Sequence, residues 1–281
     1  MNFTPVTEDN MGAMDKSPVR LFILSLMVLS TSCATRVADF KMSPDFTGKA
    51  ITTSGIIIGG YAAPKIDLKK VMTAIRDSHS GKSAEYGDLI DLNRAAINSK
   101  ILEEAIRGKR AGYPITGGGI LVKRLGKKKY QEFTSQYFLT GAPDEKWLKE
   151  IRKLKIRGRY LLMACEKKRN VKYVTHKRKI RKNEESVKKR YQGGSELTLE
   201  VIRTMDVLFT IHDLNSGLEV WHGKIKKSKS RTSRQKAYIG SSGVGIRLKS
   251  GNLLGKRKPD TPREIDVLKD IFEAFAQSLP E

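Results

Sequence analysis

Residues 207–223 read Val-Leu-Phe-Thr-Ile-His-Asp-Leu-Asn-Ser-Gly-Leu-Glu-Val-Trp-His-Gly, and the fold is decided here. Met205, Val207, Phe209 and Ile211 recur at every second position, which is the period of a strand with one buried face. Asp213-Leu-Asn-Ser-Gly217 breaks the alternation, and Leu218 to Ile225 resumes it. Glycine adopts positive φ without a steric cost, so Gly217 can close a turn between two antiparallel strands. A hairpin is predicted.

Upstream, Arg159 to Glu166 (Arg-Tyr-Leu-Leu-Met-Ala-Cys-Glu) reads as a strand, and Gly55-Ile-Ile-Ile58, ending at Gly59-Gly60, as a strand buried on both faces. Between them, Asp88 to Arg107 sets Leu89, Leu92, Ala96, Ile97, Ile101, Ala105 and Ile106 at three- and four-residue steps, an amphipathic helix. Residues 64–87 are expected as a loop with a weak helical turn at Leu68 to Ile75. Ile120 to Leu125 is expected as a strand, and Lys128 to Leu139 and Asp144 to Leu154 as helices. Downstream, Thr261-Pro262-Arg263-Glu264 has the form of a capping box, and Ile265, Leu268, Ile271, Phe272 and Phe275 follow as a helical stripe. The predicted order is β-α-β-α-α-β-(basic insert)-β-β-α. That order implies an α/β fold, a single layered domain with a mixed sheet flanked by helices.

The amino-terminal segment reads as an address. Leu21 to Leu29 is apolar, Lys16 and Arg20 precede it, and Ser30-Thr-Ser32 leads into Cys33. This is the layout of a secretory signal. Glu8 and Asp9 make a poor basic leader, so Met14, or Met11, is the expected start. The small residues before Cys33 resemble a lipobox, although Ser30 stands where lipoboxes favour leucine. The resemblance implies a signal peptide over 1–32, diacylglycerol on the Cys33 thiol, a tether over 33–53 and a periplasmic domain over 54–281. Ala34 after the cysteine, in place of Asp, favours the outer membrane by the same resemblance, with the domain facing the periplasm.

The 281 residues carry 54 Lys and Arg against 30 Asp and Glu, a formal charge of +24. Such a chain is drawn to anionic polymers and anionic membranes. Two cysteines leave no disulfide framework, and Cys165 reads as a small core residue. No cofactor and no metal site is expected.

The lipobox, the element order, Leu-Lys-Ile-Arg-Gly-Arg-Tyr-Leu-Leu-Met-Ala at 154–164 and the hairpin resemble a class of periplasmic lipoproteins. It includes curli-secretion lipoproteins and lipoprotein activators of penicillin-binding proteins. Asp213 through Gly223 carries the specific part, a strand, an Asp-x-x-x-Gly turn and a Val-Trp-x-Gly return. The resemblance implies a shared α/β domain without a catalytic site. The hairpin reads as two well-formed sheet strands, with a direct binding role for Trp221 as the other reading.

The chain departs from that class in two basic insertions, at about 166–195 and 223–259. Glu166 to Arg190 holds 12 Lys or Arg against three acids, and Val220 to Pro259 holds 12 and no acid. The first is expected as an extended arm or hairpin, partly disordered. Within the second, Tyr238 to Gly245 reads as a flexible glycine-rich loop. Lys167, Lys168, Arg169, Lys177, Arg178, Lys179, Lys224, Lys226, Lys227, Lys229, Arg231 and Arg234 are the candidate contacts for an anionic partner. A solvated surface, anionic lipid headgroups and anionic wall polymers all fit these runs.

Enzyme motifs fail on chemistry. Ser78 to Ser83 echoes the end of a phosphate-binding loop, but Arg76 occupies the leading glycine position. Gly117-Gly-Gly119 is no dinucleotide fingerprint, and no Gly-x-Ser-x-Gly elbow occurs. His212 and His222 lie on opposite arms of the hairpin, without the further Cys or Glu pair that would complete a metal site. The expected function is a non-enzymatic, lipid-anchored accessory protein of the cell envelope. Its partners would be the membrane through Cys33 and an assembly or wall protein or an anionic wall or lipid polymer. The alternative is a basic nucleic-acid-binding protein whose N-terminus only resembles a signal. Few aromatics in the basic runs make nucleic acid the less favoured partner.

Overall fold

The computed structural model describes residues 37–65, 76, 89–180, 191–240, 246–248 and 259–281. One mixed sheet holds seven strands: β1 (Ala38–Met42), β2 (Ile56–Ala62), β3 (Ile115–Thr116), β4 (Tyr160–Ile180), β5 (Tyr191–Asp213), β6 (Glu219–Gly240) and β7 (Ile246–Leu248). The helices among the described residues are α1 (Gly48–Ser54), α2 (Leu92–Lys109), α3 (Gly118–Leu125), α4 (Lys127–Thr140), α5 (Glu145–Lys153) and α6 (Glu264–Ser278). The strand order is β1-β6-β5-β4-β2-β3, with β7 also on β6. β2 runs parallel to β3 and β4, and the other pairs are antiparallel. The sheet is open, and the fold is α/β with helices on both faces, as the sequence implies.

Every residue of β2 is buried, because helices cover it from both sides. On one face α2 and α6 pack Ile101, Leu102, Ile106, Leu268, Phe272 and Phe275 against Ile56, Ile58, Leu162, Phe209 and Ile211. On the other, α3, α4 and α5 pack Leu121, Leu125, Tyr130, Phe133, Trp147 and Ile151 against Ile57, Leu161, Met163 and Cys165. Phe209 and Phe275 stack at 4.3 Å between ring centroids, and burying each ring stabilises the fold by roughly 1.5–3 kcal/mol. The β2–β4 register slips between Ile58 and Gly60, where φ is +141°. A Cβ on Gly60 would collide with the Tyr130 hydroxyl, so glycine lets α4 close on the sheet.

Three expectations are corrected. Residues 33–53 are not a tether throughout: Ala38–Met42 is an edge strand on β6, and α1 buries Ile51 beside Phe46 in the core. Ile120 to Leu125 is helical, since Leu121 and Leu125 share one buried helix face while Ile120 is exposed. A short apolar run leaves strand and helix equally open. The capping box does not form: the α6 N-cap is Arg263, whose guanidinium has no acceptor to offer the helix N–H groups, and Glu264 is held by Arg94 and Arg169. The first basic insertion is an extended hairpin arm where described, as expected: β4 and β5 run to Ile180 and from Tyr191. The expected signal peptide and Cys33, the turn at Leu68 to Ile75, Ser78 to Ser83 and residues 181–190 lie outside the described residues. So does most of the glycine-rich stretch after Gly240.

Candidate functional site

Past Cys165, β4 leaves β2 and continues with β5 and β6 as a three-stranded antiparallel arm. From Lys167 to Ile180 it extends about 45 Å at ~3.3 Å per residue. Its two outer strands are strongly basic: residues 167–179 and 224–234 carry 13 Lys or Arg and no acid, whereas β5 supplies Glu196, Glu200 and Asp206. β-branched and aromatic residues (Val171, Tyr173, Val174, Thr175, Thr198, Val201, Ile202) favour extended chain over helix.

A bulge between Glu166 and Lys168 resets which residues face α6. Before it, Tyr160, Leu162, Ala164 and Glu166 face α6; after it, Arg169, Val171, Tyr173, Thr175, Lys177 and Lys179 share that face with Met205 and Val201. The bulge therefore turns Glu166 and Arg169 to the same side. There they meet Tyr61, Arg94, Arg203 and Glu264. Arg94 Nη2 donates to Glu166 Oε2 at 2.8 Å and also to Glu264 Oε1. Tyr61 Oη donates to Glu166 Oε2 at 3.2 Å, Arg169 Nη1 to Glu264 Oε2 at 2.8 Å, and Arg203 Nη1 lies 3.7 Å from Glu264 Oε2. Burial pushes the Glu166 carboxyl up against the pull of Arg94 and Arg169. At Glu264 burial acts in the same sense, but the bonds and charges of Arg94 and Arg169 outweigh it and hold the carboxyl below its usual range. The network ties α2, α6 and the base of the arm together. Sequence reasoning missed Tyr61, Arg94, Arg203 and Glu264, because no local pattern links residues up to 170 positions apart.

The candidate anion contacts separate into groups. Arg169 is spent on Glu264 and Glu166. Lys229 pairs with Asp270 at 3.0 Å and Lys224 with Asp206 at 3.4 Å. Lys167 Nζ donates to the Phe138 carbonyl at the end of α4, 3.3 Å away. Lys168, Lys177, Arg178, Lys179, Lys226, Arg231 and Arg234 are exposed, and Lys227 is half-buried opposite Met205. Pairing register places Lys177, Lys179, Lys227, Lys229 and Arg231 on the α6 side and Lys168, Arg178, Lys224, Lys226 and Arg234 on the other.

Trp221 does not offer a binding surface. It is fully buried, edge-on to Phe275 at 5.0 Å and Phe40 at 5.7 Å, so the motif Trp is core. Gly223 leaves the space its ring and Val37 occupy. At the turn, Gly217 takes φ +77°, as the hairpin requires. Asp213 accepts from Asn215 N at 2.9 Å and from Ser216 Oγ at 3.2 Å, an Asx turn. His222 Nδ1 lies 3.1 Å from Glu219, and the buried His212 Nε2 lies 3.8 Å from it; burial lowers the His212 pKa. Among the described residues no group of three or more His, Cys, Asp or Glu is placed to hold a metal ion. Cys165 is fully buried, and burial pushes its thiol up to about 11, well away from a reactive thiolate. Among the described residues no helix is long and apolar enough to cross a membrane.

No family model and no curated protein matches the chain. Among solved structures it is similar to the lipoprotein GNA1162 of Neisseria meningitidis, over 68% of this chain and 87% of that one. The identity is 11% and the TM-score 0.25, a likeness that assigns neither family nor function.

Proposed function

We propose that this chain is a lipid-anchored accessory protein of a bacterial cell envelope, held at the outer membrane through acylated Cys33 with its domain in the periplasm. It works by binding an envelope partner or an anionic surface, not by catalysis. The observation that carries this reading is the layout at 16–33: a basic start, an apolar run and small polar residues ending at a cysteine. The basic arm supports it as the part that reaches out. Two or three acyl chains, at about 0.8 kcal/mol per buried methylene, hold a protein on a bilayer essentially permanently. Intact-mass spectrometry of the protein from its native membrane fraction tests the reading. A product beginning at Cys33 with added acyl mass is expected, and an unmodified chain in the soluble fraction overturns it.

The acid-free outer strands of the arm favour a second reading, binding to nucleic acid. It predicts affinity that falls steeply with salt, about one decade per decade of salt for each phosphate contacted.

A further inference from the structure

The two faces of the arm differ. On the side away from α6, the acids of β5 face cations across the register: Glu196 lies opposite Arg178, and Asp206 opposite Lys168 and Lys226. His176 reaches Glu200 at 3.7 Å on the same side. That face is still cationic, with seven Lys or Arg against these three acids, but carboxylates are interleaved among its cations. On the α6 side, the described arm positions of β4, β5 and β6 beyond Glu166 carry no acid at all. Near the base, α6 supplies the counter-charges, Glu264 for Arg169 and Arg203 and Asp270 for Lys229. Further out, Lys177 and Lys179 are exposed beside half-buried Leu197 and Leu199 and beside Tyr173, which is 59% exposed.

We propose that this outer face, with Tyr173, Lys177, Lys179, Leu197 and Leu199 at its centre, docks on an anionic lipid bilayer surface. Apolar side chains rimmed by lysines are what the headgroup boundary accepts, the apolar groups entering the acyl edge while the ammonium groups meet lipid phosphates. A bilayer is flat and engages one face of a ribbon about 14 Å wide. A flexible polyanion would contact both faces, each being cationic, and would have no use for Tyr173, Leu197 and Leu199 on this one. The proposal specifies the anionic surface in the function proposed above and rests on that reading.

The test is co-sedimentation of the full chain with phosphatidylcholine vesicles, with and without about one third phosphatidylglycerol, read as the ratio of the two partition coefficients. An acyl anchor contributes equally to both and cancels, so loss of Cys33 acylation would sink the anchor and leave this ratio unchanged. Lys177→Gln with Lys179→Gln is expected to lower the ratio about thirtyfold, since each cation near such a surface contributes roughly fivefold. Leu197→Ser with Leu199→Ser is expected to weaken partition into both vesicle types. Lys168→Gln with Lys172→Gln, on the opposite face, is expected to change the ratio less than about threefold. An equal loss from the two lysine pairs overturns the assignment. So does displacement of the wild-type chain from anionic vesicles by a single-stranded oligonucleotide with no effect of the leucine changes, which would make the arm a polyanion site.

Discussion

Arg159 grips Asp213 with both arms of its guanidinium: Nε donates to Oδ1 at 2.8 Å and Nη2 to Oδ2 at 2.7 Å. Arg159 immediately precedes β4 and Asp213 ends β5, so one bidentate pair fixes the register of two strands whose pairing runs outward to Ile180. The same carboxylate organises the turn that leads into β6. Asp213→Ala is therefore expected to destabilise the domain by about 2 kcal/mol, the range of hydrogen bonds to a charged group. Arg159 holds the Asp213 carboxyl below its usual range. A depressed acid contributes stability above its unfolded pKa of about 3.9 and loses it as pH falls through the folded value. The difference between wild type and Asp213→Ala, measured by urea denaturation, should be constant from pH 5 to 8 and shrink below pH 4.

Trp221 and Gly223 form a second pair whose roles are structural. Trp221→Ala empties a site between Phe40 and Phe275 and is expected to cost about 4 kcal/mol. A Cβ on Gly223 would lie 2.5 Å from Val37 Cγ1 and 2.7 Å from Trp221 Cη2, so Gly223→Ala is expected to cost about 2 kcal/mol through overpacking. Chemical denaturation reads both. A binding role for Trp221 would instead leave stability intact and remove an interaction.

These cases show which parts of the fold were readable in the sequence. The hairpin was, because a period of two and a glycine turn are local signals, and Val207, Phe209, Ile211 and Gly217 lie within 11 residues. The helix stripe of α6 was readable for the same reason. The strand β1 was not: all five of its residues are exposed, and it exists because β6 offers an edge at Trp221 to Lys224. The arm was readable in position, charge and extended form but not in register, since lysine-rich strands resemble solvated coil until a neighbour such as β5 supplies it. The bulge at Glu166 was unreadable, and with it the charge network, because Arg94 and Glu264 meet only after the chain has folded.

In that network, Glu264 is the carboxylate shared by Arg94, Arg169 and Arg203. Removing its charge leaves three half-buried guanidiniums without it, and Glu264→Gln is expected to cost about 3 kcal/mol. Glu166→Gln is expected to stay within about 1 kcal/mol, since an amide oxygen still accepts from Tyr61 and Arg94. The pH dependences oppose each other. Glu264, depressed, stabilises above its unfolded pKa of about 4.3 and loses this on acidification; Glu166, raised, becomes a penalty as pH climbs through its folded value. Urea midpoints from pH 3 to 7 should therefore rise less steeply for Glu264→Gln and more steeply for Glu166→Gln than for wild type.

The position of the β4 lysines predicts a role that needs no ligand. Beyond Cys165 this strand pairs with β5 on one side and has no strand on its other side among the described residues, so its outer backbone groups are a template for another chain. Long cationic side chains block such pairing by repulsion between copies. Lys168→Val with Lys172→Val keeps strand propensity and removes two charges from the edge. Self-association is expected to rise by about tenfold or more, read by light scattering across a concentration series at low salt, because each lost charge removes repulsion on both copies. High salt should bring the wild-type chain toward the variant by screening the same charges. If the variant stays as monodisperse as wild type, edge protection is not what the β4 lysines provide, and their number is left to the anionic partner alone.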